Sequence, residues 1–183
     1  MKIIGITGTL GAGKGTIVDY LASNHAYQHF SVRGYLTEQI VKTGETINRD
    51  SLTHTANALR AKFGPSYIAE QLWQLAQVSG NNCIIESIRT LGEVNALKAK
   101  GNFTLFSVDT DRALRYQRIL LRASETDHIS FETFSANEDR ELQSADPNKQ
   151  NLSACMAQAD FHFLNNGTFQ DLYKQIDQVI HTF

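Results

Sequence analysis

Short apolar runs alternate along this chain with longer stretches in which apolar residues recur every three to four positions. The runs Lys2–Thr7, Tyr27–Phe30, Asn82–Glu86, Phe103–Val108 and Phe161–Leu164 are the predicted strands. Ile68, Leu72, Leu75 and Ala76 fall on one helical face, as do Leu172, Ile176, Val179, Ile180 and Phe183. Gly64-Pro65 fits a helix start, because proline's fixed φ suits the first helical position. Thr168 followed by Asp171 resembles a capping box. Strands separated by helices predict an α/β fold with a five-stranded parallel sheet flanked by helices. The polar stretch Ser144–Asn151, containing Pro147, reads as a surface loop. With no repeat and no Gly-, Ser- or Pro-rich linker, residues 1–183 read as one domain.

Composition narrows the function classes. A chain of 183 residues is about one domain long. Seventeen Lys and Arg against nineteen Asp and Glu give a formal charge of −2, which argues against a broad basic coat for nucleic acid. Cys83 and Cys155 stand far apart with no CxxC spacing, so a disulfide framework or structural zinc is not expected, in keeping with a reducing compartment. Glycines interrupt the opening MKIIGITGTLGAGK before a signal-peptide core can form. No run approaches the roughly 18 apolar residues of a membrane helix. The expectation is a soluble cytoplasmic protein with neither nucleic-acid nor membrane partners, as a monomer or homodimer.

The first strand runs into Gly8-Thr9-Leu10-Gly11-Ala12-Gly13-Lys14-Gly15-Thr16 and then a predicted helix through Leu21. Strand, glycine loop and helix in this order form a P-loop, and make the fold class a three-layer P-loop NTPase. Glycines at 8, 11, 13 and 15 free the backbone so that its N–H groups can converge on an anion. The helix dipole backs that nest, and Lys14 supplies a mobile charge for the β- and γ-phosphates. Gly15 stands where Ser or Thr usually ligates Mg²⁺, and the hydroxyl comes one residue later, at Thr16.

Beyond the loop, Cys83-Ile84-Ile85-Glu86 has the shape of a Walker B strand, with Glu86 placed to hold a Mg²⁺-bound water. A helix cap or solvated loop residue is the plainer alternative for that acid. Arg89 follows where ligands of open α/β sheets bind, with a surface salt bridge as its alternative. Arg112, Arg115, Arg118 and Arg122 fall within about a third of one helix circumference, opposite Ala113, Leu120 and Leu121. Like charges at these spacings each cost a helix about 0.2–0.5 kcal/mol, so the stripe makes sense against a polyanion. A solvated face screened by Asp111 and Glu125 is the other reading. Arg33, Arg49 and Arg60 are candidates for an acceptor phosphate, though each taken singly reads first as a surface residue. The six histidines show no metal spacing, and Trp73 and the phenylalanines read as core.

The variant GxxGxGKGT resembles nucleoside monophosphate kinases of the adenylate kinase type. With Gly64-Pro65-Ser66-Tyr67-Ile68-Ala69-Glu70-Gln71-Leu72, Glu86-Ser87-Ile88-Arg89 followed by Glu93-Val94, and Asn137-Glu138-Asp139-Arg140-Glu141-Leu142, the chain resembles the adenylate-kinase-related, dephospho-CoA-kinase-like P-loop proteins. More distantly it resembles phage deoxynucleoside monophosphate kinases. The resemblance spans most of the chain and implies ATP and Mg²⁺, the metal held mostly through waters and phosphate oxygens. It implies an acceptor-binding helical region at 31–80 and a short lid at 111–145. Two departures stand out. Ser31-Val32-Arg33-Gly34 replaces a Ser/Thr-x-Gly-Asp pattern, and Glu86-Ser87 stands where relatives usually carry Asp-Gly. The expected activity is transfer of the γ-phosphoryl group of ATP to a (deoxy)nucleoside monophosphate. The alternatives are dephospho-CoA kinase, whose hydroxyl acceptor calls for a carboxylate base, and a nucleotide-binding ATPase or regulatory module without small-molecule kinase activity.

Overall fold

Strand β1 (Ile3–Gly8) is buried at all six positions, the pattern of a central parallel strand covered on both faces. Its side chains divide between two cores. Ile3 joins Ile85, Leu105, Leu72 and Trp73 on one side of the sheet. Ile4 and Ile6 join Ile84, Phe106, Ile17 and Leu172 on the other. The computed structural model describes residues 1–122 and 129–183; Glu125 lies outside them.

After β1 come α1 (Lys14–His25), β2 (Gln28–Ser31), α2 (Val32–Thr43), α3 (Arg49–Phe63), α4 (Tyr67–Ser79), β3 (Cys83–Glu86) and α5 (Leu91–Lys98). Then follow β4 (Phe103–Asp109), α6 (Arg112–Arg122), α7 (Phe131–Leu142), α8 (Leu152–Ala157), β5 (Phe161–Leu164) and α9 (Phe169–Val179). The strands form one sheet in the order β2-β3-β1-β4-β5, and every pairing is parallel. Register brings Ser31 opposite Glu86, Glu86 opposite Ile6, and Asp109 opposite Leu164. All five strands therefore end on one edge, where open α/β sheets bind ligands.

The local signals behave as their chemistry demands, with one correction. Asn48, Thr90 and Thr168 each close a capping box, with Ser51, Glu93 and Asp171. Helix α4 begins only at Tyr67 behind the N-cap Ser66, so Pro65 precedes the helix instead of occupying its first position. Its carbonyl accepts a hydrogen bond from the Thr90 hydroxyl at 3.0 Å. A Cβ on Gly92 would lie 2.7 Å from the Pro65 ring, so the proline is a packing wedge against α5. Helix α6 buries Arg115 and Ile119 and leaves Leu120 and Leu121 exposed, so Arg115 faces the protein where two leucines do not. Among the described residues no helix is long and apolar enough to cross a membrane.

Candidate functional site

The loop between β1 and α1 takes a shape that only glycine fits at Gly8, Gly11 and Gly13. Gly8 has φ 145° and a Cβ there would sit 2.2 Å from the Val108 carbonyl oxygen. Gly13, the N-cap of α1, has φ 106°, and a Cβ there would meet the Asn165 amide nitrogen at 2.2 Å. The loop is held from behind by side chains of the strand ends. Thr9 donates its hydroxyl to Asp109 at 2.8 Å. The Ala12 carbonyl accepts from Thr110 Oγ1 at 3.1 Å and from Asn165 Nδ2 at 2.8 Å. Lys14 Nζ donates to the carbonyls of Gly8 and Thr9 at 2.9 and 2.8 Å. Burial, then repulsion by Arg89, lowers the Lys14 pKa to about 8.

In front of the loop lies a cavity of about 600 Å³, within the range of small-molecule sites. Of the loop residues expected to bind nucleotide, Leu10, Gly11, Gly13, Lys14, Gly15 and Thr16 line it. Gly8, Thr9 and Ala12 shape the loop without lining the cavity. Arg33, Arg49, Arg60 and Arg89 all line the same cavity, as do Arg118, Arg122 and Glu86. Arg115 does not. Its guanidinium is buried, donating to the Thr110 and Leu10 carbonyls at 2.6 and 3.3 Å and to Glu138 at 2.5 and 2.8 Å. Arg115 thus braces the loop from outside the cavity. Arg112 pairs with Asp139 on the surface.

Buried carboxylates organise the arginines. Arg60, with 1% of its side chain exposed, donates to Glu93 Oε1 at 2.9 Å. The other Glu93 oxygen accepts the backbone N–H groups of Arg89 and Thr90 at 2.8 and 3.1 Å. Glu141 accepts from Arg89 at 2.9 Å and also from Arg49. Burial alone would raise the Glu141 pKa, but Arg89 and Arg49 outweigh it and hold the carboxyl below its ordinary value. Glu86 behaves alike: burial works upward, while the His29 hydrogen bond at 3.1 Å and the Lys14 charge bring the net shift down.

Ser87 has φ 73°, the left-handed region that glycine occupies without strain. Its N–H and that of Ile88 both donate to the Ile6 carbonyl, at 2.9 and 3.1 Å, which pins the turn that aims Glu86 and Arg89 at the cavity.

The residues suit a hard cation carried in with phosphates. Thr16 and Glu86 both line the cavity and offer one hydroxyl and one carboxylate. Among the described residues no group of three or more His, Cys, Asp or Glu could hold an ion by itself. That donor set suits Mg²⁺, which keeps waters and phosphate oxygens as its main ligands.

Asn165, Thr110, Asp109 and His29 belong to this site and escaped sequence reasoning; Glu93, Glu138 and Glu141 fall in the motifs that carry the resemblance but without an assigned role. Asn165 carries a faint signal, as the residue just beyond a predicted strand. Glu138 and Glu141 sit inside a segment whose pattern is visible but whose role is not.

A five-stranded parallel sheet with a glycine loop leading from its central strand into a helix defines a P-loop kinase-like α/β protein. Residues 4–144 match the family model described as AAA domain, and the chain belongs to that family. Among curated proteins it is similar to UPF0200 protein MMP1282 of Methanococcus maripaludis, 28% identical over 180 residues that cover 97% of this chain and 94% of that protein. Among solved structures it is similar to TT1252 of Thermus thermophilus, with a TM-score of 0.63 at 20% identity over 100% and 97% of the two chains. It also shares the fold of the shikimate kinase of Bacteroides thetaiotaomicron, at a TM-score of 0.59, 12% identity and 98% coverage of both chains. The dephospho-CoA kinase of Campylobacter jejuni gives a TM-score of 0.55 at 17% identity over 98% and 96%.

Proposed function

We propose that the protein is an ATP-dependent phosphotransferase that moves the γ-phosphoryl group to a (deoxy)nucleoside monophosphate in the cytoplasm. The observation that carries this reading is that Lys14, on the phosphate loop, and Arg49 and Arg89, from α3 and the turn after β3, line one cavity. A phosphate acceptor is already an anionic nucleophile, so the protein need only align two anions and offset their charge. ATP supplies the transferred group, and Mg²⁺ at Thr16 and Glu86 offsets part of its charge. In this reading the loop amides and Lys14 hold the donor. Arg118 and Arg122, from the 111–145 region, meet the transferring phosphate. The 31–80 region, with Arg33, Arg49 and Arg60, holds the acceptor.

A second reading, dephospho-CoA kinase, draws support from the apolar wall of Val32, Leu36, Leu52 and Ala56 in the same cavity, which suits a long uncharged arm. Against it, the end of β2 offers no carboxylate base: Ser31 caps α2 by accepting from the Gly34 N–H at 3.1 Å.

The test is ADP release from ATP across nucleoside monophosphates, deoxynucleoside monophosphates and dephospho-CoA. The proposal expects a mononucleotide to accelerate release well above the rate with ATP alone. Acceleration by dephospho-CoA only would select the second reading. A rate indifferent to every acceptor would leave an ATPase or regulatory module.

A further inference from the structure

Arg49 and Arg89 are not bare cations waiting for a phosphate. Both guanidinium groups converge on one carboxylate, that of Glu141 near the end of α7. That side chain is 8% exposed and lines the same cavity as Lys14. Gln150 accepts a second bond from Arg89 Nη1 at 2.6 Å without adding charge. A carboxylate and a phosphate present the same fork of oxygens to arginine. Glu141 therefore stands where one edge of an acceptor phosphate would be read. Two anions crowded onto one pair of arginines repel each other.

We propose that Glu141 is a resident anion that sets the charge an acceptor must bring: it competes with the acceptor for Arg49 and Arg89, so a dianionic phosphate monoester displaces it and a monoanionic or uncharged head does not. Two guanidinium groups against one carboxylate leave a net charge of one. A monoanion offers no electrostatic advantage over the carboxylate already in place, whereas a phosphate monoester carries close to two charges near neutral pH. Glu141 is thus a specificity-determining residue. The inference deepens the acceptor reading above and rests on it for the identity of the natural ligand.

The experiment measures inorganic phosphate binding by titration calorimetry on protein saturated with the non-hydrolysable imido analogue of ATP, which keeps the P-loop filled. Glu141→Gln removes the charge and is expected to tighten phosphate binding at least tenfold over the native protein. Glu141→Asp keeps the charge and is expected to stay within about threefold of native. Equal or weaker binding by Glu141→Gln overturns the proposal, as does equal tightening by Glu141→Asp. If Glu141→Gln fails to fold, Glu141→Ser carries the same expectation and the same refutation. Tightening in the charge-removed variant, with no mononucleotide accelerating ADP release in native protein, would sustain the competition and discard the acceptor reading. Acceleration by a mononucleotide without tightening would do the reverse.

Discussion

Arg60 on α3 and Glu93 on α5, 33 residues apart in sequence, meet at 2.9 Å with 1% and 0% of their side chains exposed and join the two helices. An ion pair this deep is held by geometry, and removing one partner leaves the other charge stranded. Glu93→Gln is expected to lower the unfolding free energy by about 3–5 kcal/mol, read by urea denaturation. Arg60→Met combined with Glu93→Gln should recover part of that loss, because neither charge is then left alone. Strict additivity of the two changes would disprove the coupling.

The corner at Gly13 and the step at Gly15 should respond oppositely to a side chain. Gly13→Ala places a Cβ against Asn165 at φ 106° and is expected to cost at least about 1–3 kcal/mol, with loss of ATP binding. Gly15 has no heavy atom within 4 Å of a built Cβ, so Gly15→Ser should stay within about 0.5 kcal/mol of the native protein. Thermal unfolding with and without ATP separates the two.

Lys14 titrates near pH 8 before nucleotide arrives. Bound phosphates favour its charged form and raise that value. Binding therefore takes up a proton above about pH 8, and ATP affinity should fall as pH rises through that region. Calorimetry near pH 9 in buffers of different ionisation enthalpy should reveal proton uptake that is absent near pH 7. In Lys14→Ala the uptake should vanish and ATP turnover should be abolished with the fold intact.

Two neighbours on α6 should separate stability from turnover. Arg115 is buried against Glu138 and the loop carbonyls, so Arg115→Ala is expected to cost about 3–5 kcal/mol of stability. Arg118 lines the cavity and donates to Thr110 Oγ1 at 3.2 Å. Arg118→Ala should leave the unfolding midpoint within a few degrees of native and reduce turnover at least tenfold more than it weakens ATP binding. Equal losses of turnover and binding would make Arg118 an anchor for the donor alone.

Ser87 sits at φ 73°, where a side chain costs roughly 1–2 kcal/mol. Ser87→Gly should raise the unfolding free energy by about 1 kcal/mol, a small part of the relief being returned as unfolded-chain entropy. A destabilised Ser87→Gly protein would mean that the serine side chain contributes a compensating contact.

All five strands, the phosphate loop and the Thr168 cap were legible because each is written in consecutive residues: an apolar run, a glycine spacing, a hydroxyl three places before an acid. What was hidden is pairing across the fold. Nothing near Arg60 in sequence announces Glu93, and nothing near Arg49 announces Glu141, since the sheet order alone brings those helices together. The stripe on α6 divides for a related reason, Arg118 and Arg122 lining the cavity while Arg115 does not. Its spacing is right, but Arg115 faces the loop and Glu138, while Leu120 and Leu121 stay exposed, so charge and burial run opposite to the usual rule. Pro65 carried the right signal at the wrong offset, because its task is to pack on Gly92.

The sheet order divides the labour of this edge by address. The phosphate loop hangs from β1 and is braced from β4 and β5, through Asp109 and Asn165. Residues 32–63, carrying Arg33, Arg49 and Arg60, hang beyond β2 on the far flank, with α3 leaning on α2 and α4. If the proposed transfer holds, a chain built this way can be retooled: rewriting that flank would change what is received while the hand that gives stays as it was.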